Sequence, residues 1–421
     1  MSSPRAAVEE ATRRWLAAHY SQALDQLGAA PDPVWEASGA PRRMTAYHFQ
    51  EVLRKMKIFR CLDRLEFASA LDVGSGFDIF PALIRDRYGA DTLYSDFTHA
   101  MNLPYGDAAS RLDHAVTVNA ARLPFPDHSI DLVMASEVLE HLVRPIEVIA
   151  EMLRVARKYV VMTSLEALAV NRWERARSHL RVDVRQPHVE RNFFLLAELD
   201  AIFGPRWAHE NLLHAPSLPA NAFASAAAQA AAYGALDRRD ALVAALVRAA
   251  AADGHPPGAM GIVLIKPLGD APLRPADPAG DAARADWLIG EAARYQEVVF
   301  ALAAARHRGA PVLPAPDRPV AAALRARLCC PDCRGALAAA AGGLRCAACD
   351  VRFAAEYGVP ILYPQRPLDA EAEARVALDG LCGADRARRA VVARVMRRLR
   401  RNEPPPSAAR RALWWLERRL A

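Results

Sequence analysis

The chain is short of aromatics, of long apolar runs and of scattered cysteine, and each shortage excludes something. Phe, Trp and Tyr make up 7% of the 421 residues, and no aromatic-rich platform for stacking single-stranded RNA is evident. The first residues, MSSPRAAVEEATRRW, place charges where a secretory signal needs an apolar core. The alanine-rich stretch around Phe223–Leu236 is weakly apolar and carries Gln229, which argues against a membrane span. A cytoplasmic location is therefore expected. Seven cysteines would be reduced there, so a tight cluster among them points to metal before disulfide. What is present is a globular composition, 52% hydrophobic and 24% charged, in a chain long enough for two or three domains.

Residues 1–55 read as helices interrupted by a proline-broken loop near Pro31–Pro41. Between Phe67 and Pro267 short apolar runs alternate with helical patterns, as in a βαβ sheet. Strands are expected at Ala68–Val73, Thr92–Tyr94, Ala115–Val118, Ile130–Ala135, Tyr159–Thr163, Ala208–Leu213 and Gly261–Lys266. Residues 268–280 resemble a linker, a helix follows over Asp286–His307, and a second proline-rich break spans 311–319. The expected organisation is a helical region 1–55, a catalytic domain 56–268, a linker and helix 269–320, a cysteine ribbon 321–365 and a basic helical tail 366–421.

LDVGSGFD, residues 71–78, ends a strand in a Gly-Ser-Gly turn that lets backbone approach a nucleotide. Ile79 stands where a dinucleotide fingerprint has its third glycine, so close helix packing of that kind is not expected. Asp96 ends the next strand about twenty residues on, where an acid can accept both ribose hydroxyls. Residues 119–142, NAARLPFPDHSIDLVMASEVLEHL, then resemble the class I S-adenosylmethionine-dependent methyltransferases with an LPFxDxxFDxVxxxxVLEH-like block. The resemblance covers roughly residues 55–267. It implies a Rossmann-like α/β fold with a seven-stranded sheet and helices on both faces. By the same resemblance Asp72, Gly74, Ser75 and Gly76 line the methionine end of the cofactor. Asp96 holds the ribose, Phe97 packs on adenine, and Asn119 and Ala120 sit at the adenine edge. Asn119 replaces a frequent acid and Asp78 a frequent glycine, and the amide oxygen of Asn119 can still accept from adenine.

Cys330-x-x-Cys333 and Cys346-x-x-Cys349 are two knuckles able to set four thiolates around a structural zinc. Gly335 and Asp350 are expected to take the left-handed positions that relieve the knuckle turns. Cys329 is read as a bystander, and Cys61 and Cys382 as core packing. With YGVPILYP following, residues 321–363 resemble the small zinc-ribbon family that activates tRNA, rRNA and release-factor methyltransferases. That resemblance implies a structural or substrate-gating ribbon. Four cysteine ligands leave no open position for chemistry at the metal.

Residues 164–194 follow the fifth strand and should cover the crevice. They carry Arg172, Arg175, Arg177, Arg181, Arg185 and Arg191, either a solvated face or a cradle for an anionic acceptor. From Arg386 to Ala421 twelve arginines face only Glu403 and Glu417, so within a total of +6 the basicity is concentrated in the tail. Val391, Val392, Val395, Met396 and Leu399 recur at helical spacing there. Either the helix docks on its own protein, or the tail meets RNA or a membrane surface. Glu137, Glu140 and His141 are expected on one face of a helix after the fourth strand. Small-RNA and ubiquinone-pathway methyltransferases have a similar block that holds magnesium, and His188 is placed to assist. Without a metal, His141 or His188 is the candidate general base. The expected activity is O-methylation of a small-molecule or glycan hydroxyl. Methylation of RNA or of a translation factor, and a non-catalytic cofactor-binding scaffold, are the alternatives.

Overall fold

The computed structural model describes residues 46–76, 80–97, 99–102, 109–142, 144–164, 192, 194–212, 239–251, 261–291 and 317–400. The apolar runs form strands β1 (Ser69–Val73), β2 (Asp91–Asp96), β3 (Ala115–Val118), β4 (Ile130–Ala135), β5 (Ala156–Ser164), β6 (Ala208–Asn211) and β7 (Ile262–Pro267). Their side chains sort with period two. Val133 and Ala135 of β4 face one core while Leu132 and Met134 face the other, and β5 divides Val160 and Met162 from Tyr159 and Val161. A sheet apolar on both sides needs helices on both sides.

One side is covered by α1 (Ala46–Leu62), α2 (Phe80–Tyr88), α7 (Arg239–Ala251) and α8 (281–291). Short helices α3 (His99–Asn102) and α4 (Ala109–Leu112) follow β2. The other side is covered by α5 (Pro145–Val155) and α6 (Leu196–Phe203), where Pro145 pre-sets the first helical φ. Helix α8 starts earlier than the expected Asp286, because Asp281 is buried in ion pairs with Arg60 and Arg284 that pin its first turn. The preceding residues lie on the body, with Tyr159 Oη donating to the Pro272 carbonyl at 2.6 Å.

Strands β1 to β5 are parallel in the order β5-β4-β1-β2-β3, with β7 antiparallel to β5 and β6 outside it. The seven strands lie where expected, but the sheet does not stop at seven. Strand β11 (Val359–Leu362) pairs in parallel with β3, and β10 (Arg352–Glu356), β9 (Gly343–Cys346) and β8 (Leu337–Ala340) continue antiparallel to an eleven-stranded sheet. The physical reason is the β3 edge, whose backbone groups need partners. All four residues of β11 are buried, so Val-Pro-Ile-Leu supplies that partner from within the chain.

After short helix α9 (Ala322–Ala326) and the ribbon come α10 (Ala370–Cys382) and α11 (Arg386–Arg400). Asp369 caps α10 by accepting from Glu371 N and Ala372 N at 2.9 and 3.2 Å, and Asp385 caps α11 in the same way. Val392, Val395, Met396 and Leu399 are buried in the core that holds α5 and α6. This stretch of the tail is a helix docked on its own protein. No helix of the described residues is long and apolar enough to cross a membrane.

Candidate functional site

Because β1 to β4 are parallel, their carboxyl ends bring residues 74–76, 96–97, 119–120 and 137 to one edge of the sheet. Gly74 N and Ser75 N both donate to the Ser95 carbonyl, at 2.7 and 2.9 Å, which folds the turn against β2. Gly74 has φ +76°, and a Cβ there would stand 2.6 Å from Val138 Cγ2. Both conformation and space therefore demand glycine. Gly76 N donates to Asp96 Oδ2 at 3.1 Å, and Asn102 Nδ2 holds the Asp96 carbonyl at 3.3 Å. Arg111 closes the far side, bonded to the Gly76 carbonyl at 2.5 Å and stacked on Tyr94 at 4.5 Å.

Phe97 follows Asp96 and is 41% exposed, unusual for a large apolar ring beside a buried sheet. Asn119 and Ala120 lie at the end of β3, where Asn119 Oδ1 accepts from Ala121 N at 3.0 Å and caps a short 3-10 turn. That oxygen keeps one lone pair for an adenine amino group. Asp72 is buried beneath the turn. A turn with glycine on either side of the buried Ser75, an acid and an open ring on one edge fit the adenosine and methionine parts of S-adenosylmethionine.

The Glu137 block departs from expectation. No helix follows β4 directly. Leu139–His141 form a 3-10 turn, α5 begins only at Pro145, and Glu137 precedes the turn with φ +57°. Glu137 is therefore turned away from a shared face and pairs with Arg54 of α1 at 2.7 Å. Its N–H donates to Thr163 Oγ1 at 2.7 Å, which holds the left-handed backbone. Glu140 is buried, and Asn192 binds the turn through Glu140 O and Leu139 O. Glu137, Glu140 and His141 form no metal-binding group. Among the described residues such a group exists only at the four cysteines. His188, Asp78, Ile79 and the six arginines of 164–194 lie outside the described residues.

Cys330, Cys333, Cys346 and Cys349 have their sulfurs within 4.8 Å of one another, with Cys330–Cys349 at 3.7 Å and Cys333–Cys346 at 3.4 Å. Thiolates 2.3 Å from zinc at tetrahedral angles lie about 3.8 Å apart, so the donor set fits. The four thiols are not alike: N–H donors from Cys349 and Ala348 outweigh burial and lower Cys346 to about 7, whereas burial pushes Cys330 up and the neighbouring thiols raise Cys333, so the fit to a metal rests on the sulfur geometry. Asp350 is left-handed as expected, with φ +62°, but in the first knuckle the position belongs to Arg334, φ +64°, and not to Gly335. Gly335 serves close packing instead: a Cβ there would meet Ala348 Cβ at 2.8 Å and Cys346 Sγ at 3.1 Å.

A cleft of about 400 Å3 opens between α5 and α10 and reaches Ala121 and Arg122 behind the Asn119 turn. Its acids are mostly engaged: Glu151 by Arg154 and Arg334, Asp332 by the N–H groups of Gln365 and Arg366, Asp369 by its helix. Sequence reasoning missed several residues of the crevice. Val138 forces glycine at 74, Asn102 and Arg111 brace the Asp96 and Gly76 backbone, and Tyr363 touches Phe97. Val138 and Tyr363 stood inside motifs already singled out, but nothing in their spacing joins them to the turn.

Residues 71–162 match the family described as Methyltransferase domain. The matched residues run from β1 into β5 and form the Rossmann-like α/β part of the sheet. Among solved structures the chain is similar to the complex between the Haloferax volcanii Trm112 methyltransferase activator and a methyltransferase, at 14% identity over 52% of this chain and 90% of that one, TM-score 0.33. A SAM-dependent methyltransferase from Thermotoga maritima is 14% identical over 53% and 93%, TM-score 0.34. Another from Archaeoglobus fulgidus is 16% identical over 52% and 94%, TM-score 0.31. No curated protein matches the chain.

Proposed function

We propose that the chain binds S-adenosylmethionine at the carboxyl ends of β1 to β4 and methylates a hydroxyl of a small molecule or glycan. The observation that carries the reading is the glycine turn tied to Ser95 and Asp96 beside the open ring of Phe97. When bound, the cofactor supplies a methyl group made electrophilic by its sulfonium. The chain's own part is to hold and orient. Asp96 accepts ribose hydroxyls, Phe97 carries the adenine face, and Asn119 offers its remaining lone pair. Catalysis then rests mainly on positioning the acceptor. His141 is the candidate base among the described residues. An anionic acceptor is favoured by the arginine-rich sequence of 164–194. The four cysteines hold a structural zinc that takes no part in the transfer.

One observation favours a second reading, methylation of RNA. Arg386, Arg394 and Arg397 are exposed on the face of α11 opposite its buried stripe. Incubating the full chain with methyl-labelled cofactor and fractionated lysate decides. Label in small molecules or glycans supports the first reading, label in RNA the second, and no label in any fraction contradicts both.

A further inference from the structure

The sequence presents the ribbon as a separate module, yet β11 is a strand of the catalytic sheet and runs parallel to β3, with Leu362 opposite Val118. A parallel partner ends where its neighbour ends. The residue after Leu362 therefore emerges beside Asn119, at the edge that carries the crevice. That residue is Tyr363. Its hydroxyl donates to the Phe97 carbonyl, and its ring meets the Phe97 ring edge-on at 5.3 Å and 67°. Tyr363 is 8% exposed against 41% for Phe97, so the buried ring fixes the position of the open one.

A second tie lies two residues on. His99 is buried, with Nδ1 2.8 Å from Thr117 Oγ1 of β3 and Nε2 3.4 Å from Glu356 Oε2 of β10. Phe97 and His99 are thus both held from the ribbon side. Strip the ribbon away, and the Phe97 carbonyl and ring edge lose their wall while β3 becomes an edge.

We propose that Tyr363 is a positioning residue of the cofactor site. The ribbon supplies one wall of that site, and its cysteine centre is coupled to cofactor affinity through β11. This rests on the reading of the crevice as the S-adenosylmethionine site. A ring already fixed in its bound position spares the ligand the cost of ordering it. The hydroxyl bond and the ring contact act on the same segment, and Glu356 adds a weaker, more exposed hold.

The test is calorimetric titration of the full chain with S-adenosylhomocysteine, for the unaltered protein, Tyr363→Phe, Tyr363→Ala and Glu356→Gln. Zinc content and Tm are measured on the same samples. Tyr363→Phe keeps the ring and loses one hydrogen bond, so Kd rises about three- to fivefold with zinc content unchanged and Tm lowered by no more than about 4 °C. Tyr363→Ala loses both contacts, and Kd rises about tenfold or more. Glu356→Gln has a smaller effect in the same direction. A residue that only supports the fold would lower Tm and leave the affinity of the folded protein alone. Unaltered Kd in both Tyr363 variants overturns the proposal while leaving the crevice reading standing. No binding by the unaltered chain overturns the crevice reading, and this inference with it.

Discussion

Arg334, the left-handed residue of the first cysteine knuckle, forks onto Glu151 of α5 with nitrogen–oxygen distances of 3.0 and 3.1 Å. Its other nitrogen donates to the Leu123 carbonyl. Glu151 in turn accepts from Leu123 N at 2.9 Å and from Arg154. One carboxylate thereby joins ribbon, helix and the loop after β3.

The carboxyl of Glu151 shows what this seam contributes to stability. Burial alone would raise its pKa, but the hydrogen bond and charge of Arg154, then of Arg334, outweigh burial and hold it below the ordinary 4.5. A depressed folded pKa means that the unfolded chain binds the proton more readily. Stability from this group is complete above about 4.5 and is lost as pH falls through the folded value. Glu151→Gln should therefore lower stability at pH 7 by about 3 kcal/mol, since it leaves Arg154 and Arg334 without their shared charge. It should also flatten the acid limb. Chemical denaturation at several pH values between 3 and 7 checks both.

Gly74→Ala should destabilise by about 1–3 kcal/mol, because alanine must take a positive φ and also displace Val138. Binding of S-adenosylhomocysteine should weaken in the folded fraction, as the turn shifts away from Ser95. Thermal melts with and without ligand separate the two effects. A variant with parental Tm would show that the turn is not as tight as it stands here.

How much of this was legible depends on how local each signal is. The seven strands follow from local apolar runs and lie within a few residues of their expected bounds. The cysteine centre follows from spacing alone. The β11–β3 pairing joins residues more than two hundred positions apart, and no local pattern in VPIL says which edge it seeks. Glu137, Glu140 and His141 have helical spacing, yet the chain turns left-handed at Glu137, where the Thr163 hydroxyl and Arg54 hold it. Tertiary contacts there override the period. The first knuckle was misread by one residue because glycine is the usual occupant of a left-handed site, whereas Arg334 stays there with its guanidinium bonded to Glu151.

Zinc should be present in protein purified without chelator. Cys346→Ser or chelation should unfold strands β8 to β10, because small ribbons draw folding energy from their metal. Loss of β11 from the β3 edge should follow, seen as new hydrogen exchange at Thr117 and Val118. Elemental analysis without zinc would remove the metal from the account. Exchange unchanged at β3 would uncouple it from the sheet.

His141→Ala should retain cofactor affinity and lose most label transfer in the lysate assay, since His141 lies in the turn after β4 and not in the adenosine cradle. Full transfer by the variant would dismiss it as the base.

The central claim is that the edge formed by Gly74, Gly76, Asp96 and Phe97 holds S-adenosylmethionine, and titration with S-adenosylhomocysteine tests it most directly. The unaltered chain should bind. Asp96→Ala should bind about 10- to 100-fold more weakly, because a carboxylate accepting from ribose makes charge-assisted bonds about twice as strong as neutral ones. Equal affinity of parent and variant, or no binding by the parent, would contradict the account.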